Sequence, residues 1–169
     1  LGEDVFEHGY NFIKKKKNIG TKIKFLILMF CNAVTITNKS INEGIDLLLK
    51  NTDADSAVTV SEYNMWSPLR ARKLDNNGFL KPFVPFKYFG DEKTLNCDRD
   101  SQGSVFFADM GCSIVRPKCL DKLSEGLLPQ KWMGKKILPI YQEAGFDLDY
   151  NWQVPSAEWW INNKWDSKE

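Results

Sequence analysis

Two aspartates separated by a single leucine stand near the end of the sequence, in GFDLDYNWQVPSAEWW, residues 145–160. Residues i and i+2 of an extended segment project from the same face. Asp147 and Asp149 are therefore expected to point together, with Leu148 turned into the core. The chain has one histidine and no cysteine pair at metal-ligand spacing, so the two carboxylates favour a hard cation such as Mg²⁺, held together with substrate phosphates. The alternative is that both acids cap the following helix or face solvent.

The elements expected to position these acids begin with a strand–helix–strand pattern. A first helix is predicted over Glu3–Lys17, and the apolar run Phe25–Cys31 is typical of a strand buried on both faces. Ser40 and Glu43 form a capping box that predicts the start of the next helix, and Ser56–Ser61 predicts a second strand. The short connections between these elements indicate an α/β fold built on a parallel sheet.

The second half of the chain is predicted to leave this pattern and return to it. The turn residues DNNG predict a hairpin within Lys73–Phe83, and the region 75–103 is expected to form a hairpin and loop excursion from the sheet. Strand-like sequence resumes in SVFFADMGCSIV and KKILPIY, and Pro155 is expected to open the final helix. We expect one domain over residues 1–169, with a mixed, mostly parallel sheet flanked by helices.

Composition narrows the classes of partner. The formal net charge is +1, so no nucleic-acid partner is expected, and the run Lys14–Lys17 suits the end of a helix. The longest apolar run is too short to span a bilayer, and no signal-peptide pattern is found. We therefore expect a cytoplasmic protein that does not enter a membrane.

Three segments share their order and spacing with a known enzyme family and together cover most of the chain. They are INEGIDLLLKNTDADSAVTVSEYNMWSPLRARKLDNNGFLKPF, ADMGCSIVRP and GKKILPIYQEAGFDLDYNWQ. In this order they resemble the acylneuraminate cytidylyltransferases, also called CMP-sialic acid synthetases. The resemblance implies a nucleotide-diphospho-sugar transferase-like fold.

The resemblance also implies an activity and a set of residues. The activity is Mg²⁺-dependent transfer of CMP from CTP to a sialic-acid-like acidic sugar, with release of pyrophosphate. Asp147 and Asp149 match the metal-binding acids of the family. Arg70 falls where the family has a basic residue that meets the acidic sugar, and Arg99 falls near the family's Arg-Gln pair, where a guanidinium suits a carboxylate. The alternative for each arginine is a surface charge. Asn32 falls in the loop after the first strand, as a substrate-binding position. The excursion 75–103 falls where the family projects a dimerisation element, which implies a homodimer.

The sequence departs from the family pattern in several places. The family's opening strand and CTP-binding loop have no counterpart in this sequence, which is expected to represent the later part of the domain. Other positions carry different side chains from the family pattern: Phe30, Cys31, Asn32 and Ile36 in the loop after the first strand, Met110 in the Asn-Gly step, and Gln153 in place of a third acid.

These departures leave alternatives open. The chain could belong to a divergent branch with an altered sugar, or could have lost activity. A nucleotide-sugar glycosyltransferase that uses Asp-x-Asp is a second possibility, and a non-catalytic binding or assembly module is a third. No residue can be assigned as the general base.

Overall fold

The computed structural model of the chain describes residues 2–17, 22–63, 66–99 and 101–164. The chain divides into two compact units, Leu1–Val60 with Ala108–Glu169, and Ser61–Phe107. In chain order the α-helices and strands are α1 (Gly2–Lys17), β1 (Leu26–Met29), α2 (Asn38–Lys50), β2 (Ser56–Glu62), β3 (Arg72–Leu74), β4 (Leu80–Pro82), β5 (Phe106–Val115), α3 (Pro117–Asp121), β6 (Ile137–Gln142) and α4 (Val154–Lys164). Among the described helices, none has the length and apolar character needed to cross a membrane.

Four strands form a mixed sheet in the order β1-β5-β2-β6, with both parallel and antiparallel pairs. β1 pairs antiparallel with β5, so that Met29 lies opposite Cys112. The predicted α/β class is therefore confirmed at the level of a mixed sheet flanked by helices. β5 lies between β1 and β2, so the two strands of the strand–helix–strand segment are not hydrogen-bonded to each other.

The prediction of a first strand buried on both faces is wrong. β1 lies at the edge of the sheet, with β5 as its only neighbour in the described sheet. Leu26 and Leu28 pack against the core, whereas Ile27 and Met29 on the opposite face are exposed. An apolar run indicates that its side chains are, on average, removed from water. It does not indicate whether a second layer of the protein will cover the other face of the strand.

The core of the first unit lies on both faces of the sheet, because successive strand residues point to opposite sides. One cluster receives Val58 and Val60 of β2, and the other receives Ala57 of the same strand. The cluster on the α1 and α3 side contains Tyr10, Val58, Val60, Val115, Cys119, Leu120, Trp132 and Met133. The cluster on the α2 side contains Ile36, Leu48, Ala54, Ala57, Cys112, Ile114 and Ile140.

The helix starts follow local capping chemistry. α2 begins three residues earlier than the Ser40–Glu43 capping box predicts, because Thr37 is the N-cap and its hydroxyl accepts a hydrogen bond from the Ser40 N–H at 3.4 Å. Thr37 has extended backbone angles, as an N-cap requires. α4 begins at Val154, one residue before Pro155, directly after a single 3₁₀ turn over Asn151–Gln153.

The second unit contains the predicted hairpin. β3 and β4 pair antiparallel, with Lys73 opposite Lys81. The Asp75 carboxylate accepts hydrogen bonds from the Asn77 and Phe79 N–H groups, both at 2.9 Å. Gly78 has a φ of +82°, which favours glycine at this position of the turn. The hairpin prediction is confirmed, and the excursion 75–103 lies within this unit.

Candidate functional site

The backbone of the acid-bearing segment is bonded to the loop that follows β1. Ala33 and Asp147 form an isolated antiparallel bridge, and the Leu148 N–H donates to the Asn32 carbonyl at 2.9 Å. Leu148 is half-buried. The two segments follow the carboxyl ends of β6 and β1, and ligand sites of open α/β sheets gather beyond the carboxyl ends of strands.

The side chains of this region also join the two segments. Asp149 is exposed, and its carboxylate accepts a hydrogen bond from the Asn32 amide at 3.0 Å. The structure therefore brings together Asn32 and the acid pair, three of the five residues assigned to the site from the sequence. Gln153 accepts from the Asp149 and Tyr150 N–H groups at 2.8 and 2.7 Å. These bonds tie the end of the acid segment to the turn before α4.

A third carboxylate near the pair was not identified from the sequence. Asp109 of β5 is half-buried. Its carboxylate accepts hydrogen bonds from the Thr59 hydroxyl, from the Gly111 N–H at 3.0 Å and from the Gln142 amide at 2.9 Å. A charged residue inside the otherwise apolar run SVFFADMGCSIV was the signal that could have found it, because strand interiors rarely carry an unpaired acid.

The acid pair lies in a region of concentrated negative charge. Burial raises the pKa of the Asp147 carboxyl, and the nearby carboxylates of Asp149 and Asp109 raise it further. A cation at this position would relieve that repulsion. The site therefore has the charge, and two exposed or half-buried oxygen ligands, that suit a hard divalent cation.

The number of ligands limits which kind of metal site this can be. Within the part of the chain that the structure describes, no group of three or more His, Cys, Asp or Glu side chains is arranged to hold a metal ion. Mg²⁺ is commonly held by one or two carboxylates, with substrate phosphates and water completing its shell. Asp147 and Asp149 fit a Mg²⁺ that arrives with a phosphate ligand, and do not form a closed structural site.

The loop after β1 lies close to the sheet because the residue of β5 beside this loop is a glycine, Gly111. A Cβ on Gly111 would lie 2.7 Å from Ile36 Cδ1 and 3.1 Å from Ala33 Cβ. The Phe30 N–H also donates to the Gly111 carbonyl, at 3.3 Å. Gly111 is thus the residue that lets Ala33 and Ile36 pack close to the sheet.

Arg70 and Arg99 belong to the second unit. Arg70 is exposed at the end of a 3₁₀ turn over Pro68–Arg70, and its guanidinium donates to the Cys97 carbonyl at 2.7 Å. It lines a groove of about 470 Å³ together with Arg72, Phe86 and Glu92. Arg99 is exposed.

Aromatic side chains lie exposed beside the acids. Tyr150 and Trp152 have nearly parallel rings, with centroids 6.3 Å apart and an interplanar angle of 11°, and both are exposed. Trp160 of α4 is half-buried and packs edge-on against Phe146, while Trp165 lies outside the described residues. The Tyr150–Trp152 pair offers a flat apolar surface, of the kind on which sugar or base rings stack.

No model of a known protein family matches the chain, and no curated protein matches it.

Proposed function

We propose that the protein transfers CMP from CTP to a sialic-acid-like acidic sugar in a Mg²⁺-dependent reaction. In this reaction a sugar hydroxyl attacks the α-phosphorus of CTP, the bond to the β-phosphate oxygen breaks, and pyrophosphate leaves. The observation that carries the proposal is the joining of the segments after β1 and β6, which presents Asp147 and Asp149 beside Asn32 at one edge of the sheet. The motif order of the cytidylyltransferase family supports the same assignment.

Each residue of the first unit has a defined part in this proposal. Asp147 and Asp149 would hold Mg²⁺, which would offset the negative charge of the phosphates during transfer. Asn32 orients the Asp149 carboxylate through its amide and is proposed to contact the substrate as well. Gln153 fixes the backbone of Asp149.

The arginines of the second unit are proposed to recognise the acidic sugar. A guanidinium binds a carboxylate through paired N–H donors, and this geometry selects acidic sugars over neutral ones. The Arg70 guanidinium is already oriented by its bond to the Cys97 carbonyl, which lowers the conformational entropy lost on binding. Arg99 is assigned to the same task because of its place in the family pattern.

We further propose that the protein acts as a cytoplasmic homodimer. The second unit exposes several large apolar side chains on and beside its hairpin: Leu74, Phe79, Leu80, Phe83 and Tyr88. Apolar side chains concentrated in this way commonly mark a protein interface. A second copy of this chain is the proposed partner.

Pyrophosphate release tests the proposed reaction. The protein is incubated with CTP, Mg²⁺ and a panel of nine-carbon acidic sugars, and Asp149→Asn is compared with Asp53→Asn. Asp53 is another exposed acid, near the opposite end of β6, where it pairs with Lys136 at 2.9 Å. We expect turnover with one sugar, a loss of at least roughly 100-fold in Asp149→Asn, and no change in Asp53→Asn.

The other outcomes separate the alternatives. Release of a nucleoside diphosphate from a nucleotide sugar, without pyrophosphate from CTP, would replace the proposal with a glycosyltransferase that uses the same acid pair. A folded protein that binds Mg²⁺–CTP without turnover with any sugar would indicate a binding module.

A further inference from the structure

Asp109 contacts four parts of the first unit through one carboxylate. The Thr59 hydroxyl of β2 and the Gly111 N–H of β5 donate to one oxygen, and the Gln142 amide at the end of β6 donates to the other. Because three donors already occupy this carboxylate, it is poorly suited to coordinate a cation directly. Its contacts are those of a group that holds neighbouring segments in register.

The fourth contact is the start of the acid-bearing segment. A Cβ built on Gly145 would lie 2.6 Å from Asp109 Cγ, and closer still to one carboxylate oxygen. Gly145 therefore approaches Asp109 more closely than any residue with a side chain could. The segment 145–149 leaves this contact and forms its next tertiary bonds at Asp147 and Leu148, against the loop after β1.

We propose that Asp109 is the positioning residue of the acid pair: its carboxylate fixes the end of β6 and Gly145, and thereby sets where Asp147 and Asp149 lie. The inference deepens the proposed function. The positioning itself follows from the contacts of Asp109, and only its purpose, the placing of a metal-binding acid pair, rests on the proposed function. Asp109 acts through the segment and does not contact substrate.

Amide hydrogen exchange, measured by NMR, tests the positioning directly. The Leu148 N–H is bonded to the Asn32 carbonyl, so its exchange rate reports whether the segment remains docked. In Asp109→Asn we expect this amide to exchange at least tenfold faster, while amides in the centre of β2 keep their rates. Asp53→Asn is the matched control, and its Leu148 rate is expected to equal that of the unmodified protein.

Thr59→Val keeps the test decisive if Asp109→Asn does not fold, and combining Gly145→Ala with Asp109→Ala gives a second test where Asp109→Ala folds. Thr59→Val keeps the charge of Asp109 and removes one donor, and is expected to accelerate exchange at Leu148 in the same direction. Gly145→Ala is expected to accelerate it tenfold or more in the unmodified protein, but less than twofold when added to Asp109→Ala, because the obstructing carboxylate is then gone. Unchanged Leu148 exchange in folded Asp109→Asn, or in Thr59→Val, would overturn the inference, as would equal effects of Gly145→Ala in both backgrounds.

A Mn²⁺ titration tests the proposed metal site separately from the positioning of the segment by Asp109. Mn²⁺ bound by the acid pair broadens the amide signals of residues 147–149 in the unmodified protein. If Mn²⁺ with CTP leaves those signals unchanged, the acid pair does not bind the metal and the proposed function is contradicted. The Leu148 exchange rates still decide whether Asp109 positions the segment. If broadening occurs and Asp109→Asn needs tenfold more Mn²⁺ to reach it, both proposals are supported.

Discussion

At the scale of single residues, the fold places the negative charges of the acid pair close together, and this repulsion does not stabilise the folded state. Burial and the neighbouring carboxylates of Asp149 and Asp109 raise the pKa of Asp147. A carboxyl whose pKa is higher in the folded state than in the unfolded state binds its proton more tightly when folded. The folded state is therefore favoured at low pH, and this advantage is lost as the pH rises through the raised pKa.

Asp147→Asn is accordingly expected to increase stability at neutral pH without a metal. The gain is about 0.5 kcal/mol or less, because the side chain is only partly buried and solvent screens the repulsion. Urea unfolding at several pH values checks it: the difference between the variant and the unmodified protein should shrink as the pH falls towards the ordinary aspartate value of 3.8. A variant that is less stable at every pH would show that Asp147 makes a stabilising contact.

At the scale of elements, a different aspartate joins the starts of β2, β6 and α3. The Asp55 carboxylate lies 2.5 Å from the Lys118 ammonium and accepts from the Lys135 and Lys136 N–H groups at 2.7 and 2.9 Å. Burial alone would raise the pKa of Asp55, but the Lys118 bond and the two N–H donors outweigh burial and hold the pKa at about 2. Ionised Asp55 thus stabilises this edge of the sheet.

Asp55→Asn is expected to destabilise the protein by roughly 1–2 kcal/mol at pH 7, after allowance for solvent screening. Because the folded pKa lies below the ordinary value of 3.8, the contribution of Asp55 is present above that value and is lost as the pH falls towards about 2. Denaturant unfolding at pH 7 and at pH 3 measures the change. A constant difference at both pH values would contradict the assignment to ionised Asp55, and Asp53→Asn provides the matched control.

The elements also show how far local sequence signals extend. The amphipathic and β-branched patterns placed α1, α2, β2, β5 and β6 within a few residues, and the turn residues placed the β3–β4 hairpin. The same signals did not reveal that β5 lies between β1 and β2, because strand order depends on pairing between distant segments. Nor did they reveal which apolar residues of α1 are covered: Tyr10 is buried, whereas Ile13 is exposed.

At the scale of the whole molecule, the exposed apolar residues of the second unit give a test of the proposed homodimer. Leu80→Asp places a charge on the hairpin surface and is expected to shift the protein from dimer to monomer at micromolar concentration. Light scattering across a concentration series measures the shift. Val5→Asp is the matched control, since Val5 is equally exposed in the first unit and should leave the dimer unchanged. An unsubstituted protein that is monomeric at all concentrations would contradict the proposed dimer.

The sequence by itself determined the local chemistry of this protein. The spacing of Asp147 and Asp149, the hairpin turn at Gly78 and the helical stripe of α2 depend on residues close together in the chain. Over such short distances, backbone geometry alone sets which side chains share a face. Local features of this kind therefore follow from the order of the residues without any knowledge of distant segments.

Only the tertiary structure decided which distant residues contact these local features. Asn32 meets Asp149 from 117 positions away, and Asp109 meets Thr59 and Gln142 across three strands. These contacts depend on strand order and on the close approaches that Gly111 and Gly145 permit. Strand order is set by the packing of two core clusters across the sheet, which is a property of the whole folded chain and not of any short segment.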